Sequence, residues 1–237
     1  MGTSLSAKET LLSSMHSLNA SPEVKVLLIL NSPGVLDDEN YMRFIRNAIA
    51  AKASGADRHI QSAPYSGNPL QFDRLKNTFN QFICKILSFR KLVIVGFEGD
   101  VAPPFFGASL VADYRFGTDE MTFQPSHLKL GIIPGGGLGF TLPRFVGHMK
   151  ARDLLFSKKP TSASDLFRLG LLDGRFPEDK FQDECIKIAN ELAAMPRWAV
   201  EGVKAVINTY APDLMNFLEY EDMTSECLIA SKHHTRG

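Results

Sequence analysis

The chain has 237 residues, 44% of them hydrophobic, and balances 26 Lys plus Arg against 26 Asp plus Glu. That length suits one sizeable domain burying roughly 70 to 75% of the surface its unfolded chain would expose. Balanced charge leaves no global field to gather nucleic acid or an anionic bilayer, and no run approaches the ~20 apolar residues of a membrane span. Cys84, Cys185 and Cys227 are widely spaced in apolar or helical surroundings, which argues for reduced thiols over a disulfide framework or a metal site. With no apolar signal-peptide core in residues 1–19, a cytoplasmic protein is the expectation.

Ser6-Ala7-Lys8-Glu9 reads as a capping box, and Leu11, Leu12, Met15 and Leu18 follow at helical spacing. Pro22 ends the connection, and Val24 to Leu30 reads as a core strand of the parallel type. Asn31-Ser32-Pro33-Gly34, a helix-like run over 38–53 and a polar stretch over 54–69 come next. The spacing of Phe72, Leu75, Phe79, Phe82, Ile83 and Ile86 predicts a long helix over 70–89 with its apolar stripe on a sheet.

Residues 91–147 are the most informative stretch. Leu92 to Phe97 suits a buried strand, and Phe105 to Ala112 is small and apolar enough for a buried helix. Short runs at 114–116 and 121–123 are separated by the turn-like Gly117-Thr118-Asp119. Pro134-Gly135-Gly136-Gly137 opens a helix at about Leu138, with backbone N–H groups toward a cleft and glycines that admit a close ligand. Beyond it, Ser162 and Asp165 begin a capped helix ended by Gly170, 171–176 forms a short strand or turn, and three amphipathic helices fill 181–194, 196–210 and 213–231.

This segment resembles the central part of the crotonase superfamily, the enoyl-CoA hydratases and isomerases. Gly99, Asp113, Phe123, Leu130-Gly131, Pro134-Gly135, Gly137, Leu142, Arg144 and Gly147 fall without a gap on the pattern of that family. The resemblance implies an α/β fold, a crotonase-like spiral of ββα units over 1–177, followed by a C-terminal helical trimerisation region over 178–237. It implies an acyl-CoA or other acyl thioester as ligand, no further cofactor, no metal, and a homotrimer or hexamer. The β-hairpin that usually precedes the family's first helix is expected to be missing.

Departures fall on the positions that the family uses for chemistry. The family's first catalytic glutamate aligns with Gly107 and its second with His127. Adding water to an enoyl thioester needs one group to take a proton and another to give one, and neither carboxylate is present. The glycine whose N–H helps hold the thioester oxygen aligns with Pro104, which has no N–H. Losing one such donor costs about 100- to 1000-fold in rate. A one-residue slip would put Pro103 or Phe105 there instead, and Phe105 would restore an N–H but fill the pocket with a ring. The Ala-Gly-x-Asp turn that supplies the second donor is also missing, its nearest counterpart being Gln61-Ser62-Ala63-Pro64.

A histidine side chain ordinarily titrates near neutrality, so His127 could serve as a proton carrier, or could be a polar surface or helix-start histidine with Ser126 as cap. Glu98, beside Gly99 at the end of the central strand, could replace a lost carboxylate or be a solvated corner. Pro104, Phe105, Gly107, Pro134, Gly135 and Gly136 are the expected substrate-binding positions. Two readings stand: an enzyme on acyl thioesters whose chemistry has moved toward isomerisation, decarboxylation or hydrolysis, and a non-catalytic crotonase-fold binding or structural subunit.

Overall fold

The computed structural model describes residues 5–31, 38–53 and 69–234. Helix α1 (Leu5–Ala20) leads into β1 (Val26–Leu30), and α2 (Asp38–Ala53) and α3 (Pro69–Ser88) precede β2 (Leu92–Phe97). Two ββα units follow: β2, β3 (Asp100–Val101) and α4 (Pro103–Ser109), then β4 (Tyr114–Thr118), β5 (Thr122–Phe123) and α5 (Ser126–Leu130). Next come α6 (Leu138–Val146), α7 (His148–Leu155), β6 (Thr161–Ser162), α8 (Ala163–Arg168) and β7 (Gly174–Phe176). Three helices, α9 (Phe181–Ala193), α10 (Arg197–Ile207) and α11 (Ala211–His234), close the described chain.

The main sheet is parallel throughout, in the order β1-β2-β4-β7, and a smaller one runs β3-β5-β6. Repeated strand, corner, strand, helix makes each unit step from the first sheet to the second, the spiral expected from the sequence. β2 is central, so Val93, Ile94, Val95 and Phe97 are all buried and the strand reads as one continuous apolar run. β1 pairs in parallel with β2 as expected and packs on the core, but it is an edge of the main sheet, and of its residues only Leu27 is buried. Ile83, Ile86 and Phe89 carry the stripe of α3 into the main core beside Met15 of α1, Phe106 of α4 and Leu214 and Leu218 of α11. The side chains of Ser6, Glu9, Phe72 and Leu75 lie outside the described residues, as do 32–37 and 54–68 with their turns.

Buried charges tie the layers together. The Asp113 carboxylate accepts the Val93 N–H at 2.7 Å and pairs with Lys204 of α10 at 2.6 Å. Lys204 Nζ also donates to the Lys91 carbonyl at 2.8 Å. Lys91 in turn donates to the carbonyls of Leu18 (2.7 Å) and Ser21, satisfying the C-terminal end of α1. Arg115, a buried residue of β4, donates to the Ala112 carbonyl at 2.8 Å and pairs with Asp173 at 3.3 Å. The aspartate that follows α4 is therefore a structural joint between β2 and the C-terminal helices.

Candidate active site

Everything at the site hangs on the first turn of α4. Ala102 is its N-cap, and Pro103 and Pro104 open the helix, where a missing N–H costs nothing to the helix itself. The next two amides, Phe105 and Phe106, both donate to the Ala102 carbonyl at 3.2 Å. Two prolines without donors and two amides already engaged leave this turn no N–H to place on a thioester oxygen. The alternative of a slip is corrected at the same point, because the Phe105 amide is no more available than that of Pro104. The Phe105 ring is half-buried, edge-on to Phe79 of α3 (centroids 4.9 Å apart) and to Tyr41 of α2 (6.5 Å). It helps to form a small apolar cluster with Tyr41, Ile45, Ala102 and Leu130, where α2 meets α4 and α5.

Gly107 leaves no room for a side chain. A Cβ placed there would stand 2.7 Å from the Gly136 carbonyl oxygen, 3.1 Å from that of Gly135 and 2.9 Å from the Leu138 Cβ. A Cβ on Gly136 would stand 2.3 Å from the Pro104 carbonyl oxygen. α4 and the glycine turn thus pack backbone against backbone. Gly135, Gly136 and Gly137 all have positive φ (72°, 67° and 71°), which only glycine adopts readily, and this lets the turn lie flat on α4. No carboxylate fits at 107 unless that turn moves.

His127 opens α5, a short helix closed by Gly131 in the left-handed region (φ 61°). The surface and capping readings are both corrected. His127 is 3% exposed, Pro125 is the N-cap, and the Ser126 hydroxyl is buried without a hydrogen bond among the described residues. His127 Nε2 lies 2.8 Å from the Leu155 carbonyl at the end of α7. A carbonyl only accepts, so Nε2 carries the proton and the ring is fixed in that tautomer.

Glu98 is held through its backbone. The Asn31 side-chain oxygen accepts the Glu98 N–H at 2.9 Å and its amide donates to the Glu98 carbonyl at 3.3 Å. Partial burial and the nearby Glu178 carboxylate push the Glu98 carboxyl up from its ordinary range. Its charge also acts on Cys185 of α9. His127 is thus held by α7, whereas Glu98 is held by Asn31 and acts on Cys185 of α9.

One functional-looking residue was not singled out in the sequence. Glu221 of α11 is 5% exposed, and its Oε2 accepts the Gly137 N–H at 2.9 Å, so the chain's own carboxylate sits on the amide that opens α6. Burial pushes Glu221 up to about 7, aided by the Asp222 charge and opposed by the Gly137 N–H. The available signal was an acid on an apolar stripe, with Leu214, Phe217 and Leu218 preceding Glu221 at helical spacing.

A separate cavity of about 760 Å³ lies at the far end of α4, walled by Leu110, Val111, Phe145, Val203 and Ile207. Among the described residues no cluster of three or more His, Cys, Asp or Glu could hold a metal ion, and no helix is long and apolar enough to cross a membrane.

Comparison with known proteins agrees with this architecture. Residues 51–237 match the model of the enoyl-CoA hydratase/isomerase family. A Bacillus subtilis protein, YhaR, described as a putative enoyl-CoA hydratase/isomerase, is 26% identical over 186 residues, 78% of this chain and 72% of its own. The 4-chlorobenzoyl coenzyme A dehalogenase-1 of Arthrobacter is 30% identical over 124 residues, which span 52% of this chain and 45% of the dehalogenase. An enoyl-CoA hydratase structure from Bacillus halodurans superposes with a TM-score of 0.78 at 19% identity, covering 98% of this chain and 88% of that one. ThnE from S. clavuligerus gives 0.72 at 17% identity, covering 94% and 92%. With the ββα spiral, the Asp113 joint and the family match over 51–237 in place, the chain belongs to the enoyl-CoA hydratase/isomerase family.

Proposed function

We propose that this protein binds an acyl thioester of coenzyme A and does not hydrate it. The carrying observation is the first turn of α4, where Pro103 and Pro104 have no N–H and Phe105 and Phe106 give theirs to Ala102. Gly107, closed in by the Gly135 and Gly136 carbonyls, removes the first proton carrier from the same place. The dehalogenase relative, named for a coenzyme A thioester and for chemistry other than hydration, supports ligand class and altered reaction together. Three free cysteines suit the reducing cytoplasm.

A second reading retains catalysis, as isomerisation, decarboxylation or hydrolysis. It is favoured by His127, buried with one ring nitrogen fixed on Leu155, as a positioned proton carrier would be. Calorimetry with acetyl-CoA and crotonyl-CoA, beside a crotonyl-CoA hydration assay, separates the possibilities. Binding without hydration is the expected result, and brisk hydration overturns the proposal. Turnover of any acyl thioester that is lost in His127→Ala and kept in Glu98→Ala selects the histidine mechanism. No binding at millimolar concentration removes the ligand from both readings.

The assembly proposed is a homotrimer or a dimer of trimers. α10 exposes Trp198 (79%), Val203, Val206 and Ile207, apolar side chains that a neighbouring subunit would cover. Sedimentation should give a trimer or hexamer that Trp198→Glu dissociates, and a lone stable monomer of the natural chain rejects this part.

A further inference from the structure

The glycine turn that closes on α4 is fixed from behind. A Cβ on Gly137 would come within 3.1 Å of Leu214 and 3.3 Å of Leu218, so α11 packs directly on the turn. Glu221 is the next α11 residue along that stripe, and its Oε2 takes the Gly137 N–H at 2.9 Å. Gly136, one residue before, rests on Pro104, and Gly135 and Gly136 wall Gly107. One carboxylate therefore stands at the start of a chain of contacts that ends at the first turn of α4.

We propose that Glu221 is a positioning residue, holding the Gly135–Gly137 turn against α4 so that the shape of the acyl site depends on the docking of the C-terminal helix. The proposal deepens the acyl-thioester reading, and rests on it only for the affinity measurement. A carboxylate does this better than an apolar residue would. A buried N–H at the start of a helix needs an acceptor, and an acidic acceptor also meets the positive end of the α6 dipole. Around Glu221, the neighbouring charge is Asp222, which Asn80 of α3 holds at 2.9 Å. On α6, Arg144 is engaged with the Phe140 carbonyl (2.8 Å) and lies over the Phe140 ring, and Tyr210 stacks on that ring. Among the described residues no basic side chain pairs with Glu221, so its strongest partner is the Gly137 amide.

The test uses the full chain, with Glu221→Gln and Glu221→Ala. Glutamine keeps an acceptor for Gly137 and cannot ionise, whereas alanine removes the acceptor. In amide-resolved NMR without ligand, the Gly137 signal should titrate with a midpoint near 7 in the natural protein and stay constant in Glu221→Gln. Glu221→Ala should speed hydrogen exchange at Gly137 and weaken acetyl-CoA binding about tenfold, the worth of one buried hydrogen bond, with Glu221→Gln restoring the affinity. Thermal unfolding checks that both variants fold, and if Glu221→Ala does not, the Glu221→Gln titration decides alone. A Gly137 amide that shows no Glu221-dependent titration at any pH where the protein stays folded, or that exchanges equally slowly in Glu221→Ala, overturns the proposal. If the natural protein binds no acyl-CoA, the ligand reading falls and the amide measurements still decide the role of Glu221.

Discussion

Gly107→Ala puts the steric argument at the centre of the site to a direct measurement. The added methyl would meet two carbonyl oxygens at 2.7 and 3.1 Å and the Leu138 Cβ at 2.9 Å, all shorter than ordinary van der Waals contact. These partners are main chain or the root of a side chain, so relief requires the Gly135–Gly137 turn or α4 to shift. Overpacking of this kind costs about 1–3 kcal/mol, and the upper part of that range applies where backbone must move. Alanine recovers up to about 1 kcal/mol as a better helix former than glycine. The net expectation is a loss of about 2 kcal/mol, or a melting temperature lower by about 4–8 °C for a chain of this size. Urea and thermal unfolding followed by circular dichroism measure both. Gly202→Ala is the matched control: it lies on α10 with nothing within 4 Å of an added Cβ, and should be neutral or slightly stabilising. If Gly107→Ala unfolds at or above the natural midpoint, the turn is not packed against α4 as described, and a carboxylate at 107 would have had room.

Three further outcomes follow from the buried charges and thiols. Glu221 titrates at an ordinary 4.5 when unfolded and at about 7 when folded, so the folded state holds the extra proton between those values and stability falls as pH rises through them. The whole change amounts to about 3 kcal/mol and levels off above pH 7, and Glu221→Gln should flatten it in urea titrations from pH 4.5 to 8. Lys204→Ala leaves the Asp113 carboxylate without its cation and should cost about 3 kcal/mol, with much of it regained in a Lys204→Met, Asp113→Asn double variant. Alkylation at pH 8 should label exposed Cys227 readily and spare Cys185, which is buried and pushed up to about 11, until the protein is unfolded.

The sequence displayed the fold where the local signal and the tertiary role coincide. β2 is an unbroken apolar run because both of its faces are covered, and α3 shows its stripe because only one face is. The prolines at 103 and 104 announced the missing donors, since proline lacks an N–H in any context. Tertiary information was needed elsewhere. β1 looks as apolar as β2, yet it is an edge, and strand order cannot be read from composition. Phe105 retained an amide on paper, but only the turn geometry shows that amide bound to Ala102. Ser126 has the side chain of a cap and is displaced from that place by Pro125. Glu221 and Lys204 sit on helices as ordinary charges would, and their burial depends on partners 84 and 91 residues away, Gly137 and Asp113.

Those partners also explain why the departures at the site belong together. A catalytic carboxylate at 107 would need the space that the Gly135 and Gly136 carbonyls occupy, and a donor at 104 would need to replace a residue whose backbone lies against Gly136. Both changes meet at one glycine turn, and Glu221 secures that turn from the opposite side. Residues that share a contact do not contribute additively, so restoring a glycine at 104 or a glutamate at 107 alone meets a turn still fitted to the other change. The altered positions are therefore coupled through one packing arrangement, the closure of the turn onto α4.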